Sequence, residues 1–495
     1  MKYYSTRDKA VRMESADAIK MGLSRDGGLL TPEAIPQIDE AFLTELVSAR
    51  YQERAAKVMG LYLTDYTYEE LLGFAENAYG PDKFDTDAVA PVRKVDETTH
   101  CLELWHGPTS AFKDMALQML PQLLSAALRK TGEDKTVCIL VATSGDTGKA
   151  AMEGFADVEQ TKIMVFYPKD GVSAVQEAQM VTQDGRNVGV CAVVGNFDDA
   201  QAGVKRIFSD EGIRATLLER GYFLSSANSI NWGRILPQVV YYISAYCDLV
   251  RDSQITMGDK VNFCVPTGNF GDILAAYYAK RMGLPVGKLI CASNRNDVLT
   301  DFLRTGVYDR NRPFHTTMSP SMDILVSSNL ERLLFDLSGE NDEEVKGYMT
   351  ALASEGKYEV SDAIKTAVKE QYWGGFCDED GTAATIADYY RNKGYLIDTH
   401  TAVAANVMEQ YRKETGDETV TVFVSTASPY KFCNHVLSAI GEIPVGDGVE
   451  LLDQLNSVSG VAVPRRLAAL KGKERRFDLT AEKQEMDNVV LDFLK

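Results

Sequence analysis

TVCILVATSGDTGKA, residues 136–150, is the stretch whose reading decides the fold. Thr136 to Ala142 form a short run, β-branched and apolar without alternation, which then breaks into a loop of small and hydroxyl-bearing residues. A strand that is apolar on both faces belongs in a parallel sheet covered by helices on both sides. The same pattern recurs outward from this point, in KIMVFYP (162–168), VGVCAVV (188–194), VNFCVP (261–266), KLICAS (288–293) and TVTVFVST (419–426). Each run leads into a loop and then a helix-like segment, the alternation of a doubly wound α/β protein. In such sheets ligands bind in the crevice beyond the carboxyl ends of the strands, so the chemistry is expected in the loops after these runs.

Upstream of residue 99 the pattern is mostly helical. PEAIPQIDEAFLTELV (32–47) and TYEELLGFAENAYG (67–80) place apolar residues at helical spacing, and Thr67 with Glu70 predicts a capping box. A length of 495 residues exceeds what one core usually organises. Three units are therefore expected: a small N-terminal domain over 1–98, a large α/β domain made of 99–136 and 229–495, and a small mobile α/β domain over 137–228.

Counting 52 Lys and Arg against 71 Asp and Glu gives a net charge of −19, which repels polyanions and argues against a nucleic-acid partner. A small phosphorylated ligand must then find a place locally rich in backbone N–H groups or positive side chains. The N-terminal MKYYSTRDKAVR lacks the apolar stretch of a signal peptide, and no apolar run is long enough to span a membrane; a cytoplasmic protein is expected. The eight cysteines form no CxxC pair and read as buried free thiols, and the five histidines have no ligand spacing, so no metal site is expected.

Three of the four loops that stand out follow predicted strands. In PTGNFGD (266–272), two glycines three apart precede a helix-like segment, so backbone N–H groups converge at a helix N-terminus as an anion site. ATSGDTG (142–148) invites a P-loop reading and fails it, because Thr143 stands where the first glycine is needed and Ala150 where a serine or threonine should hold magnesium. The hydroxyls of Thr143, Ser144 and Thr147 instead suit a substrate carboxylate. STASPYKF (425–432) is the third such loop. The fourth segment, HGPTSAFKD (106–114), puts Lys113 at the start of an apolar helix, where positive potential and desolvation disfavour the ammonium form and leave an amine nucleophilic toward aldehydes.

These four segments, in this order, resemble the motifs of the threonine synthases, within the tryptophan synthase β family (fold type II) of pyridoxal-phosphate (PLP) enzymes. SRDGGLLTPE (24–33), SSANSINWGRI (225–235) and DTHTAVA (398–404) extend the resemblance over nearly the whole chain. It implies two doubly wound three-layer domains plus the helical N-terminal one, and PLP carried covalently by Lys113. It implies that Gly268, Asn269, Phe270 and Gly271 hold the cofactor phosphate, that Asp272 belongs to the same cofactor-binding run, that Thr426 faces the pyridine nitrogen, and that Ser144, Asp146 and Thr147 lie against the cofactor ring and substrate. Asn228, Asn231 and Arg234 resemble the segment that receives the substrate, with Arg234 the candidate for its phosphate. Many relatives in the wider fold place Asn where Asp146 stands, and the STASPYKF and DTHTAV segments vary from the usual STAHPAKF and DPHTAV at Ser428 and near His400. The implied reaction converts O-phospho-L-homoserine and water into L-threonine and phosphate, in a monomer or homodimer. Two other readings stay open: another PLP lyase of this fold, such as a serine or threonine dehydratase, and a non-catalytic phospho-ligand binder.

Overall fold

The computed structural model describes residues 1–495, with the side chain at position 198 left aside. The six apolar runs are strands, at Thr136–Ala142, Thr161–Pro168, Val188–Val194, Val261–Pro266, Val286–Ser293 and Thr421–Ser425. They fall into two sheets. The larger orders its strands Tyr372–Phe376, Val286–Ser293, Val261–Pro266, Thr421–Ser425, Thr99–Glu103 and Val92–Lys94. All neighbours in it are parallel except the last pair. The smaller is entirely parallel, in the order Thr480–Glu482, Val188–Val194, Thr161–Pro168, Thr136–Ala142 and Tyr222–Ser225. This is the mixed, doubly wound α/β architecture expected.

Strand order locates the crevices. In the larger sheet the chain runs from Val261–Pro266 outward to Val286–Ser293, then returns to place Thr421–Ser425 on the other side of Val261–Pro266. The order reverses there, and a reversal opens a gap between the helices that leave the two strands in opposite directions. The segments PTGNFGD and STASPYKF both emerge at this gap. In the smaller sheet the reversal falls between Thr136–Ala142 and Tyr222–Ser225, and ATSGDTG emerges beside it.

The unit boundaries differ from those expected in two places. The C-terminal residues, assigned to the large unit through 495, return to the smaller sheet: Thr480–Glu482 pairs with the open edge of Val188–Val194. The helix Met486–Phe493 then buries Met486, Val490 and the following Leu494 against Ala200, Val204 and Ile207. An exposed apolar edge strand is a liability, and the chain end covers it. The N-terminal part is not only helical. It contains an antiparallel sheet of Asp8–Glu14, Lys2–Ser5 and Leu30–Pro32, while Val92–Lys94 crosses the boundary at 98 to edge the larger sheet. The capping box at Thr67 and Glu70 is present, with Thr67 N–H donating to the Glu70 carboxylate (2.8 Å) and Glu70 N–H to the Thr67 hydroxyl (3.2 Å). All eight cysteines are free and buried. No helix among the described residues is long and apolar enough to cross a membrane.

The N-terminal sheet matters to the site because it is locked to the segment carrying Arg234. Trp232, fully buried, packs its ring against Tyr3, Tyr62 and Tyr278 with centroids 5.5–5.7 Å apart. Beside it the buried Arg332 guanidinium donates to the Leu30 carbonyl from Nε (3.0 Å) and Nη2 (2.8 Å), and to the Ile230 carbonyl from Nη2 (2.7 Å). Burial lowers the Arg332 pKa to about 10, because backbone carbonyls rather than a paired carboxylate hold its charge. Arg332→Met should strand both carbonyls in a dry interior and cost about 3 kcal/mol or more. Denaturant unfolding checks this, and a loss below about 1 kcal/mol would show that those carbonyls find other partners.

Candidate active site

One cleft of about 1580 Å³ collects the loops from both sheets and the N-terminal segment. Lys113, Thr143, Ser144, Thr147, Asn228, Arg234, the run Gly268 to Asp272, and Thr426 all line it. Residues spread over more than 300 positions of sequence are thus brought to a single place.

Lys113 is the first residue of a short helix, Lys113–Leu117. Its loop is laced to the strand end that carries Thr426: Phe112 N–H donates to the Thr426 carbonyl (2.7 Å), Ser428 N–H to the Ser110 carbonyl (3.1 Å), and Ala111 forms an antiparallel bridge with Ala427. The turn needs Ser110 in the left-handed region at φ 59°, a strain these contacts hold in place. Asp114 secures the other side, accepting from the Thr109 N–H and hydroxyl, both at 2.8 Å. Burial lowers the Lys113 pKa to about 8; Asp146 and Asp272 oppose that shift, while Arg234 and Lys431 deepen it. The ammonium lies 4.8 Å from the Phe112 ring centroid. At neutral pH this amine is far easier to deprotonate than a solvated lysine.

Across the cleft, Gly268 to Gly271 turn into the 12-residue helix Gly271–Met282. Phe270 takes φ 63°, and a Cβ on Gly268 would sit 2.6 Å from the Ser321 carbonyl oxygen, so the turn closes only with glycine there. Asp272 follows, its Oδ1 accepting from the hydroxyls of Tyr241 (2.5 Å) and Tyr242 (2.6 Å) and its buried Oδ2 without a partner. Burial raises its pKa to about 6. Thr426 lines the same cleft.

Arg234 sits in the first turn of the helix Trp232–Arg251, buried, donating from Nη1 to the Ala227 carbonyl, with Nε unpartnered. Burial lowers its pKa to about 10. A buried guanidinium without a carboxylate is costly unless an anion completes it. Two residues not singled out from sequence stand nearby in the cleft lining: Ser229, and Ser24, whose buried hydroxyl has no partner. Both lie in segments quoted for the resemblance, which is the signal that pointed to them. His400 also faces the cleft. It accepts the Ser321 N–H on Nε2 (3.1 Å), and its Nδ1–H donates to Asp398 (2.8 Å), which fixes the tautomer.

Three expected site residues are used differently. Asn231 does not line the cleft: its Oδ1 accepts from Gly233 N–H (2.9 Å) as a helix cap and its Nδ2 donates to the Ile19 carbonyl (3.0 Å). The Thr143 hydroxyl is spent on the Gly145 and Gly148 N–H groups (3.0 and 2.9 Å), holding the loop in shape. Asp146 does not itself line the cleft; it forms a buried ion pair with Lys431 (2.7 Å) and accepts from Gln176 Nε2 (2.8 Å). Burial alone would raise the Asp146 pKa, but Lys431 and Lys113 hold it well below the usual carboxylate range.

Residues 93–427 match the family model described as pyridoxal-phosphate dependent enzyme, and a PLP enzyme of fold type II is the class that the two sheets and their shared cleft define. Residues 2–79 match the model for the threonine synthase N terminus, and 401–490 that for the threonine synthase C-terminal region. Threonine synthase of Pseudomonas aeruginosa is 42% identical over 449 residues, covering 90% of this chain and 92% of its own. Among solved structures, PLP-bound threonine synthase from Brucella melitensis superposes with a TM-score of 0.88 at 37% identity, covering all of both chains. The yeast enzyme gives 0.88 at 33%, covering 100% of this chain and 98% of its own. The chain belongs to the threonine synthase family of PLP-dependent lyases, and PLP is its cofactor. The residues present fit that group: an amine with lowered pKa, a glycine turn at a helix N-terminus that closes against Ser321 only without a Cβ, and the Thr426 hydroxyl share one cleft.

Under the lysine loop, His106 is held between two carboxylates, Nδ1 against Asp85 (2.6 Å) and Nε2 against Glu103 (2.8 Å), with the Trp105 ring stacked on it at 4.2 Å. Burial alone would lower its pKa, but the Asp85 and Glu103 contacts carry it up to about 9. A folded value above the unfolded one, about 6.5, means stability that is complete below pH 6.5 and lost as pH rises through 9. The stability difference between the wild type and His106→Gln should therefore shrink by about 3 kcal/mol over that window. Thermal melts of both proteins across the series check this, and parallel curves would place the charge elsewhere.

Proposed function

We propose that the enzyme converts O-phospho-L-homoserine and water into L-threonine and phosphate, with Lys113 as the carrier of PLP. The observation that carries this reading is Arg234, a buried guanidinium without a carboxylate in the same cleft as the reactive amine. A lyase acting on an unphosphorylated amino acid has no need to bury that charge, and a chain of net charge −19 has little reason to place it there unless an anion is to be bound.

Bound PLP supplies an electron sink at the substrate Cα. The rest falls to the chain. The N–H groups of Gly268 to Gly271, at a helix N-terminus, hold the cofactor phosphate, and the Thr426 hydroxyl meets the ring nitrogen without the charge that a carboxylate would bring. Ser144 and Thr147, at the start of the helix Asp146–Phe155, receive the substrate carboxylate. Arg234 forks onto the substrate phosphate with Asn228 beside it. Lys113, once released by the incoming amine, carries one proton at a time at Nζ: it takes the Cα proton and passes it to the substrate phosphate, takes a Cβ proton as that phosphate leaves and delivers it to Cγ, then takes a proton from the water whose hydroxyl adds at Cβ and delivers it to Cα; its lowered pKa suits a group that must both take and give protons near neutrality. Residues 137–228, with 480–495 added, form the small unit that moves as a lid and limits water to the one molecule that reacts. The protein works in the cytoplasm, where buried thiols stay reduced.

Two substitutions separate the roles. Lys113→Ala should abolish the visible absorbance of the holoenzyme and the release of phosphate and threonine from O-phospho-L-homoserine, while far-ultraviolet circular dichroism stays unchanged; retained colour with full activity contradicts the assignment. Arg234→Ala should weaken substrate binding by about 1.5–3 kcal/mol, the worth of a charge-assisted contact, with PLP affinity little changed. An unaltered KM removes Arg234 from the substrate site.

A further inference from the structure

Lys431 is among the most buried lysines of the chain, and none of the roles above uses it. It lies in the turn Pro429–Phe432, just past Thr426. Its Nζ bonds Asp146 of the small-sheet helix Asp146–Phe155 (2.7 Å) and donates to the carbonyl of Thr109 in the lysine loop (3.1 Å). Its own carbonyl accepts from the hydroxyl of Ser173 (3.3 Å), the cap of the helix Ala174–Val181, and Gln176 of that helix is the second donor on Asp146 (2.8 Å). Gly145 must stay glycine for this to close: its φ is 128°, and a Cβ would sit 2.3 Å from the Gln176 side chain. One ammonium thus ties the smaller sheet, the lysine loop and the Thr426 strand end together, out of water.

The charges acting on Lys113 give that tie a consequence. Four charges act on it: Asp146 and Lys431 from this pair, Arg234 from the helix Trp232–Arg251, and Asp272 from the helix Gly271–Met282. Asp146 is the strongest attraction among them. A free carboxylate there would pair with Lys113 and hold it as an ammonium, which cannot attack an aldehyde.

We propose that Lys431 is a positioning residue for the reaction: by engaging Asp146 it keeps that carboxylate from Lys113, and so sets the reactivity of the amine while fixing the Ser144 to Thr147 loop. The inference rests on the reading of Lys113 as the cofactor carrier. It also gives the aspartate in the SGDTG loop a definite place, as half of a neutral pair.

The test uses apoprotein and reads the amine directly, by competitive labelling with trace acetic anhydride over a pH series and mass quantification of the Lys113 peptide. In the wild type the midpoint should fall near pH 8. Lys431→Met removes a repulsive charge and frees Asp146, so the midpoint should rise by about 1 pH unit. Asp146→Asn removes the attraction and leaves Lys431 uncompensated, so the midpoint should fall by about 1 pH unit, and the double variant should lie between the two. Opposite shifts are the signature, because a merely structural tie moves stability without moving this midpoint in two directions. Either single variant unmoved, or both moved the same way, overturns the proposal. Asp146→Asn keeps an acceptor for Lys431, so if Lys431→Met fails to fold the downward shift decides alone. Whether Lys113 bears the cofactor is read separately on reduced holoprotein, so failure of that reading and failure of this one leave different marks.

Discussion

The antiparallel bridge between Ala111 and Ala427, flanked by the hydrogen bonds Phe112 N–H to Thr426 and Ser428 N–H to Ser110, is the contact on which the rest of the site depends. It joins two loops that leave neighbouring parallel strands, Thr99–Glu103 and Thr421–Ser425, and so fixes the distance between Lys113 and the Thr426 hydroxyl. Backbone bonds set that distance more firmly than side chains do, since they carry no rotamer freedom. The left-handed Ser110, the Asp114 anchor on Thr109 and the charged cluster at His106 all serve to keep this turn in shape.

Around that fixed centre the chain arranges charge by burial. Lys113 and Arg234 lose water and fall in pKa, whereas Asp272 loses water and rises. These three groups are therefore moved toward neutrality, whereas Asp146 keeps its charge through its pairing with Lys431. A chain of net charge −19 that binds a phosphorylated cofactor has to build its positive field locally. It does so with a helix N-terminus at Gly271 and a guanidinium at Arg234, both desolvated so that they act strongly over short range.

Much of this was legible in the sequence, for physical reasons that also mark where legibility stops. Thr136–Ala142 and the five strands like it announce themselves because both faces are buried, which forces a continuous apolar run. The three-residue edges Val92–Lys94 and Thr480–Glu482 carry no such signal, since an edge strand needs only backbone bonds on one side; hence the misplaced ends of the units. The glycine turn at 268–271 and the lysine at a helix start are read from residue type because their chemistry lies in the backbone and in position along the chain. The direction of a side chain is not. Asn231, Thr143 and Asp146 stand in the right segments, yet their polar atoms are taken by a helix cap, a loop and an ion pair, and Lys431 was passed over because nothing in spacing says that it turns inward.

The central claim is that one amine, Lys113, presented beside Thr426 and the 268–271 turn, carries the cofactor. Borohydride reduction of the holoprotein, proteolysis and mass mapping tests it most directly. A single phosphopyridoxyl group on the peptide containing Lys113 is the result this account requires; the same mass on Lys431 or any other lysine, or on none, contradicts it.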